Sequence, residues 1–573
     1  MKKKPGILGL LKPYSSIVIL LILFTLVSNG INLWIPKLIS HGIDAFGAGQ
    51  FSYEKIIVQF LAAILSIFLF SYLQSIIQTY ASERVAKDLR TKLSDKISKQ
   101  SYAFIQEANP SKLLTNLTAD VDSIKLYISQ AIVSIVSSVF IIIGASILLL
   151  TINWKLALCV IAIIPIIGIT FFVVLKKVRA LFIQSRAVID WLNKVINESI
   201  LGAAIIRVVN SQQFEYNKFL EANTKAKDFG LAILKLFAGL IPVITFTSNM
   251  AALTILALGG HFVITGSMSL GDFAAFNSYL SMLIFPILVI GFMSGVIAQA
   301  TASYQRISNV IEAPDPPETG TITAPLKGAV TVENVSMLYG QTPVLNDIFF
   351  SVEPRTRVAI TGPTAAGKTQ LLYLLTGLIK PSSGAIQFDG HAIDEYNSET
   401  FHQQVGFVFQ DSIIFNMSIR ENIAFSDTVT DDALEKAIAT AELKDFINSL
   451  PGKLDTIVSE RGSSLSGGQK QRIMLARALA LNPTILLLDD FTARVDANTE
   501  KKILDNIQIN YPELTLISVT QRITSVENYD QVILLMQGEI IATGRHETLI
   551  HTSPEYVQLL NSQKSTSHYE LQS

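Results

Sequence analysis

Six long apolar segments, roughly 15–39, 56–78, 127–151, 154–175, 236–264 and 272–298, fill the first half of this 573-residue chain. Each is near or above the roughly 20 residues that carry an α-helix across a bilayer. A soluble strand is far shorter. A buried core helix of this length is plausible once and implausible six times over. The composition agrees: charged residues are 16% of the chain and hydrophobic ones 50%, where a soluble domain has about a quarter charged. The first apolar stretch follows a basic "MKKKPG", as a signal peptide would. It is too long, however, and no small-residue cleavage site follows, so a retained first span is expected. A net charge of −1 gives no ground for a nucleic-acid partner. The single cysteine, Cys159, can form neither an internal disulfide nor a cysteine metal cluster.

Basic residues set the orientation. Lys2, Lys3, Lys4 and Lys12 precede the first span. Arg84, Lys87, Arg90, Lys92, Lys96 and Lys99 lie between spans two and three, and Lys176, Lys177, Arg179, Arg186, Lys194 and Arg207 between spans four and five. The opposite loops are short and nearly uncharged. The expected protein is therefore a multi-pass protein of a cell (inner) membrane, with its N-terminus and its C-terminal half in the cytoplasm. Both basic connections are about 50 residues long, and such lengths require structure of their own. Val85, Leu89, Leu93 and Ile97 recur at helical spacing, so span two is expected to continue into water. Helices of about 24 residues would reach about 36 Å, with turns expected over 107–121 and 208–218. Such hairpins suit levers touching a cytoplasmic engine.

"EAPDPPETGTITAPLKG", residues 312–328, reads as a linker. Beyond it short strands alternate with helical stretches, the pattern of an α/β domain with a largely parallel sheet. The expected fold class is an α-helical six-span membrane domain plus an α/β P-loop NTPase domain. The expected boundaries are a membrane domain over 1–311, the linker, a nucleotide-binding domain over 329–563 and a flexible tail over 564–573.

"GPTAAGKTQ" comprises Gly362, Pro363, Thr364, Ala365, Ala366, Gly367, Lys368, Thr369 and Gln370. It fits G-x-x-x-x-G-K-[ST] between a strand and a helix, the context in which backbone N–H groups cradle phosphate oxygens. Lys368 would bridge the β- and γ-phosphates of ATP, and Thr369 would place its hydroxyl on Mg²⁺. About 100 residues on, Leu465, Ser466, Gly467, Gly468 and Gln469 precede the apolar strand "ILLLDD", which ends in Asp489 and Asp490.

Together these residues resemble the ATP-binding cassette family: the phosphate loop, an L-S-G-G-Q signature and an acidic strand come in that family's order. The resemblance implies that two cassettes pair head to tail, each signature closing over the other chain's ATP. It also implies roles for single residues. Tyr339 would stack on adenine, and Gln410 would reach Mg²⁺ and the attacking water. Asp489 would support Mg²⁺, and Asp496 would lie at the contact between cassettes. "VSERG", 458–462, would sense the membrane domain's levers. Six spans, long hairpins and one fused cassette resemble an exporter-type half-transporter.

Three departures stand out against that pattern. Asp490 stands where the family carries the glutamate that polarises the attacking water. Gln521 stands where a histidine contacts the γ-phosphate. Ala365, Ala366 and Gln370 replace the preferred Gly, Ser and a hydroxyl. A base one methylene short is pulled back by about 1 Å, a displacement that costs about 10²-fold in rate. The expected arrangement is a degenerate own site, with the signature serving a partner half-transporter that carries its own Glu and His. A heterodimer is expected, with a homodimer as the other possibility.

No acid or base lies well inside an apolar segment, which argues against proton coupling. Asn29, Asn32, Gln74, Thr245, Thr247, Ser248, Asn249, Asn277 and Ser281, beside Phe246, Met250, Phe276, Tyr279, Met282 and Met293, suit either helix packing or a cavity for apolar or amphipathic cargo. An ATP-gated regulatory or channel-like protein, and an importer on the same fold, stay open alternatives.

Overall fold

The computed structural model describes residues 6–316, 320–340, 342–459 and 462–570. The chain forms two compact units: residues 1–99 with 108–314, and 100–107 with 315–573.

In the first unit six helices are long and apolar enough to cross a membrane: α1 (Lys12–Gly47), α2 (Tyr53–Ser98), α3 (Pro110–Ile152), α4 (Trp154–Leu201), α5 (Gln212–Ile264) and α6 (Leu270–Ile311). α1 packs on α2 and α6, α3 on α6, and α4 on α5. Much of their surface stays apolar and outward, Phe172, Phe246 and Phe285 among it, as lipid contact requires. α2 runs unbroken past its apolar stretch, and Val85, Leu89 and Leu93 are buried along one face.

The turn expected over 107–121 is narrower than that stretch. The break falls at Asn109, whose positive φ and side-chain bond to the Ser111 N–H stop one helix and start the next, with Pro110 at its first position. Residues 110–121 are helical because Leu113 and Val121 find a buried face. The second turn is confined to the residues just before Gln212, where α5 begins.

Phe276 and Tyr279 belong to the packed interior of this unit, and the Tyr279 hydroxyl donates to the Leu33 carbonyl at 3.0 Å. Asn29 donates to Ser137 at 2.7 Å, so it joins α1 to α3. The charges near the span ends are also partnered across helices. Asp44 of α1 accepts from Ser269 and from the Gly271 N–H at the start of α6, while Lys37 lies 3.7 Å from Asp272. In the extensions beyond the apolar spans, buried Asp120 takes both Arg306 and Ser303 of α6.

The second unit has two sheets. β1 (Val330–Tyr339), β2 (Thr342–Val352), β4 (Ser383–Phe388) and β5 (His391–Ala392) make an antiparallel sheet in the order β2-β1-β4-β5. The larger sheet runs β10-β9-β3-β8-β7-β6, from β3 (Arg357–Thr361), β6 (Val405–Val408), β7 (Ile485–Asp489), β8 (Thr515–Val519), β9 (Gln531–Met536) and β10 (Glu539–Gly544). It is parallel except at β10. β3, β7 and β8 are buried on both faces, so their runs of Val, Ile and Leu are continuous rather than alternating. Register places Ile360 beside Val519 and Val519 beside Asp489. Three loops therefore leave the same carboxyl edge of the sheet together, which is where open α/β sheets bind ligands.

The segment 100–107 belongs to this unit, and Tyr102 meets Tyr373 edge-on at 5.8 Å. The helix Pro554–Glu570 extends into the segment expected as a tail, and residues 571–573 lie outside the described ones.

Candidate functional site: a phosphate loop facing paired carboxylates

The loop after β3 is shaped by its glycines. Gly362 has φ +150°, and a Cβ there would sit 1.9 Å from the Leu535 carbonyl oxygen, so no side chain fits. The loop ends at Gly367, and helix α7 (Lys368–Leu375) begins. Its first turn aims free backbone N–H groups at whatever occupies the loop. Lys368 is buried, and its Nζ donates to the carbonyls of Gly362 at 2.8 Å and Pro363 at 2.7 Å. Burial pushes this ammonium's pKa down, while Asp490 and Asp489 pull it back up. The lysine thus spans the mouth of the loop, charged and only loosely committed to neutral carbonyls.

Ala365 stands in the left-handed region at φ 65°, where a Cβ costs about 1–2 kcal/mol. Ala366 is packed in the interior behind it. Replacing Ala365 with glycine should relieve the strain. After the extra unfolded-state entropy of glycine, we expect a net gain of up to about 1 kcal/mol. A rise of one or a few degrees in the thermal midpoint would show it, and a fall would mean that the Ala365 methyl group is itself a packing contact.

Asp489 closes β7 only 1% exposed. Its Oδ1 accepts from the Thr369 hydroxyl at 3.2 Å, and its Oδ2 is buried with no partner. Burial pushes this carboxyl up to about 6, Thr369 opposing and Asp490 adding to the rise. A buried carboxylate oxygen without a donor, next to a hydroxyl beside a phosphate loop, fits Mg²⁺. That ion binds through one or two carboxylates together with phosphate oxygens and water. Bound there, it would neutralise phosphate charge.

Asp490 is also buried, and its backbone is left-handed at φ 46°. Burial pushes its carboxyl up, while Lys368 and the Gln521 backbone N–H counter the rise. Its own N–H donates to Val519 at 2.9 Å. The short acid thus sits between Lys368 of the phosphate loop and the segment that follows β8. The Gln521 side chain is exposed.

Gln410 is exposed too, and makes no side-chain hydrogen bond to Thr369 or Asp489 among the described residues. Its carbonyl accepts from Gln471 at 2.9 Å. Tyr339 is 79% exposed at the end of β1, its ring open on the surface. Pro363, Thr364 and Gln370 lie in the loop and the first turn of α7.

The signature forms a separate group. Ser466 caps helix α8 (Gly467–Leu479), accepting from the Gln469 N–H, while the Gln469 side chain accepts from the Ser466 N–H at 2.8 Å. This reciprocal cap occupies the serine and the glutamine and leaves the Gly467 and Gly468 N–H groups at the helix start. A Cβ on Gly468 would lie 2.8 Å from the Arg494 carbonyl oxygen, so the glycine permits the loop before Asp496 to lie close. Leu465 packs beneath. Asp496 caps α9 (Ala497–Asn510) by accepting from Thr499 at 3.0 Å. The signature and the Asp496 loop are brought together. Neither is hydrogen-bonded to the phosphate loop among the described residues. The expected lever-sensing stretch 458–462 includes residues 460 and 461, which lie outside the described ones.

Two residues have no motif signal. Gln563 donates to the Gln521 carbonyl and accepts from the Ile523 N–H at 2.9 Å, so one side chain brackets the segment after β8. Gln471 holds Gln410 by a single bond, donating to its carbonyl. These contacts span 40 residues or more, which no local pattern announces.

Known proteins give the same picture. A family described as the ABC transporter transmembrane region matches residues 18–287, and one described as ABC transporter matches 345–493. The chain is similar to an uncharacterized ABC transporter ATP-binding protein, YfiB, of Bacillus subtilis strain 168, 32% identical over 97% of this chain and 98% of the relative. It is 30% identical to an ATP-dependent lipid A-core flippase of Syntrophus aciditrophicus strain SB over 85% of this chain and 82% of that one. A solved structure of a bacterial Atm1-family ABC exporter with ATP bound matches with a TM-score of 0.77 at 24% identity, covering 96% of this chain and 98% of that one, and so shares the fold. A phosphate loop set against buried carboxylates, a capped signature helix and six helices long and apolar enough to cross a membrane thus lie in one chain whose relatives match it over most of its length: it belongs to the ABC transporter family.

Proposed function

We propose that this chain is one half of a heterodimeric, ATP-driven exporter and that its own ATP site hydrolyses slowly. The observation that carries the reading is Asp490, a buried carboxylate one methylene short on a left-handed backbone. A general base must come within about 2.6–3.2 Å of the proton it takes. One methylene short, the Asp490 carboxylate falls about 1 Å behind the reach of a glutamate at this position.

In this reading the loop from Gly362 to Gln370 holds the phosphates of ATP and Tyr339 stacks on the adenine. Lys368 places its charge on the β- and γ-phosphates. Asp489 and Thr369 hold Mg²⁺, with Gln410 completing its surroundings when the cassettes close. The signature, Leu465 to Gln469, and Asp496 serve the partner's site, where a Glu and a His perform hydrolysis. The apolar tip of the second hairpin supports a partner half: Leu201, Ile205, Val208 and Phe214 are each at least 70% exposed, a patch that seeks cover. Tyr102 against Tyr373 supports the lever. The cargo class is apolar or amphipathic, consistent with a relative named as a lipid A-core flippase and with apolar segments that carry no acid or base well inside them.

The test is steady-state ATPase of this chain in lipid, alone and co-expressed with a half-transporter from a neighbouring gene. We expect at least about 10²-fold more turnover in the pair, abolished by a Glu→Gln change in the partner. Brisk turnover by this chain alone would refute the slow site.

A further inference from the structure

Away from the nucleotide site, a cavity of about 400 Å³ lies where the start of α1 meets the cytoplasmic extension of α2, and Tyr14, Arg84, Asp88 and Lys92 are among its lining residues. The Tyr14 hydroxyl donates to Asp88 at 2.5 Å, so the one acid has its partner. Arg84 and Lys92 are exposed, and neither has a carboxylate within ion-pair distance among the described residues. The cavity therefore carries surplus positive charge just past the apolar run of span two.

The face leading to it is apolar. Phe68, Tyr72, Ile76 and Tyr80 follow one another at four-residue steps along α2, 67%, 57%, 49% and 57% exposed, and the next step is Arg84. Phe68 and Tyr72 stack with centroids 6.2 Å apart, and Arg84 donates to the Tyr80 hydroxyl at 3.3 Å. An outward apolar ridge that ends in two cations has the shape and polarity of a phospholipid: chain along the ridge, phosphate at its end.

We propose that this cavity binds the headgroup of an anionic phospholipid, its phosphate held by Arg84 and Lys92 and an acyl chain lying along Phe68 to Tyr80. Free phosphate shares the headgroup chemistry, but the ridge commits the site to lipid.

The experiment uses the full-length protein purified with phosphatidylcholine and titrated with phosphatidylglycerol, the bound lipid counted by native mass spectrometry. We expect preferential retention of phosphatidylglycerol. It should weaken by about ten-fold or more in Arg84→Ala/Lys92→Ala, persist in Arg84→Lys/Lys92→Arg, and persist when Lys176 and Lys177 are both changed to alanine. All substituted side chains are exposed, so the variants should fold as the parent does. Equal retention by the Arg84→Ala/Lys92→Ala protein would overturn the proposal. So would equal retention of the two lipids by the parent, or displacement of phosphatidylglycerol by millimolar inorganic phosphate.

Discussion

Asp489→Asn is expected to stabilise the nucleotide-free second unit and to abolish magnesium-dependent ATP turnover in any complex whose hydrolysis uses this site. The stabilisation follows from burial. Asp489 is 1% exposed, its Oδ2 has no donor, and its pKa stands at about 6 in place of 3.8. A folded-state pKa above the unfolded one means that the folded chain holds the proton more tightly. The associated stability is present below about 3.8 and is lost as pH rises through about 6. At neutral pH the ionised form then costs about 3 kcal/mol, and asparagine, nearly isosteric, removes that cost. The thermal transition of the second unit should rise by several degrees at pH 7.5. The difference should shrink as pH falls from 6.5 toward 4. Mg²⁺ added to ATP should raise the transition of the parent further than ATP alone does and add little for the variant, which keeps the phosphate loop but loses a metal ligand. An asparagine variant that melts lower at pH 7.5 would show that Lys368 compensates the carboxylate fully.

Much of this arrangement is legible in the chain because it is encoded locally. The spans are a matter of length, and the continuation of α2 is a four-residue repeat of Val85, Leu89 and Leu93. The phosphate loop and the signature are fixed spacings whose glycines have steric work to do, as Gly362 against Leu535 and Gly468 against Arg494 show. What stays hidden depends on distant partners. Lys37, Asp44 and Asp272 look like stray charges at span ends until α1 and α6 lie side by side. Gln563 and Gln471 are unremarkable glutamines until the fold brings them to backbone groups of the site. The first hairpin turn is narrower than the sequence suggests for a related reason: residues 110–121 are polar enough to read as a loop, and only their buried contacts make them helix.

Asp490→Glu combined with Gln521→His is expected to raise the ATPase of this chain alone by about 10–10²-fold. The signature is intact and its helix is fully capped, so in the proposed reading the base and the switch are the chief parts a homodimer of this chain lacks. Glutamate adds the missing methylene and carries the carboxylate past the Gln521 N–H toward the space over the loop, recovering a displacement of about 1 Å. Histidine restores an imidazole whose proton and charge an amide cannot supply. The single Asp490→Glu change should give most of the gain and Gln521→His alone little, because a γ-phosphate contact without a base accelerates nothing. A structural cost comes with the exchange. Position 490 is left-handed at φ 46°, a conformation aspartate tolerates better than glutamate, so the variant should lose about 0.5–1 kcal/mol of stability. Faster turnover with a lower melting point is therefore the signature of a restored base. If the parent already turns over quickly and the Asp490→Glu protein is no faster, then Asp490 reaches the water as it stands, and its left-handed backbone is how a shorter acid does so.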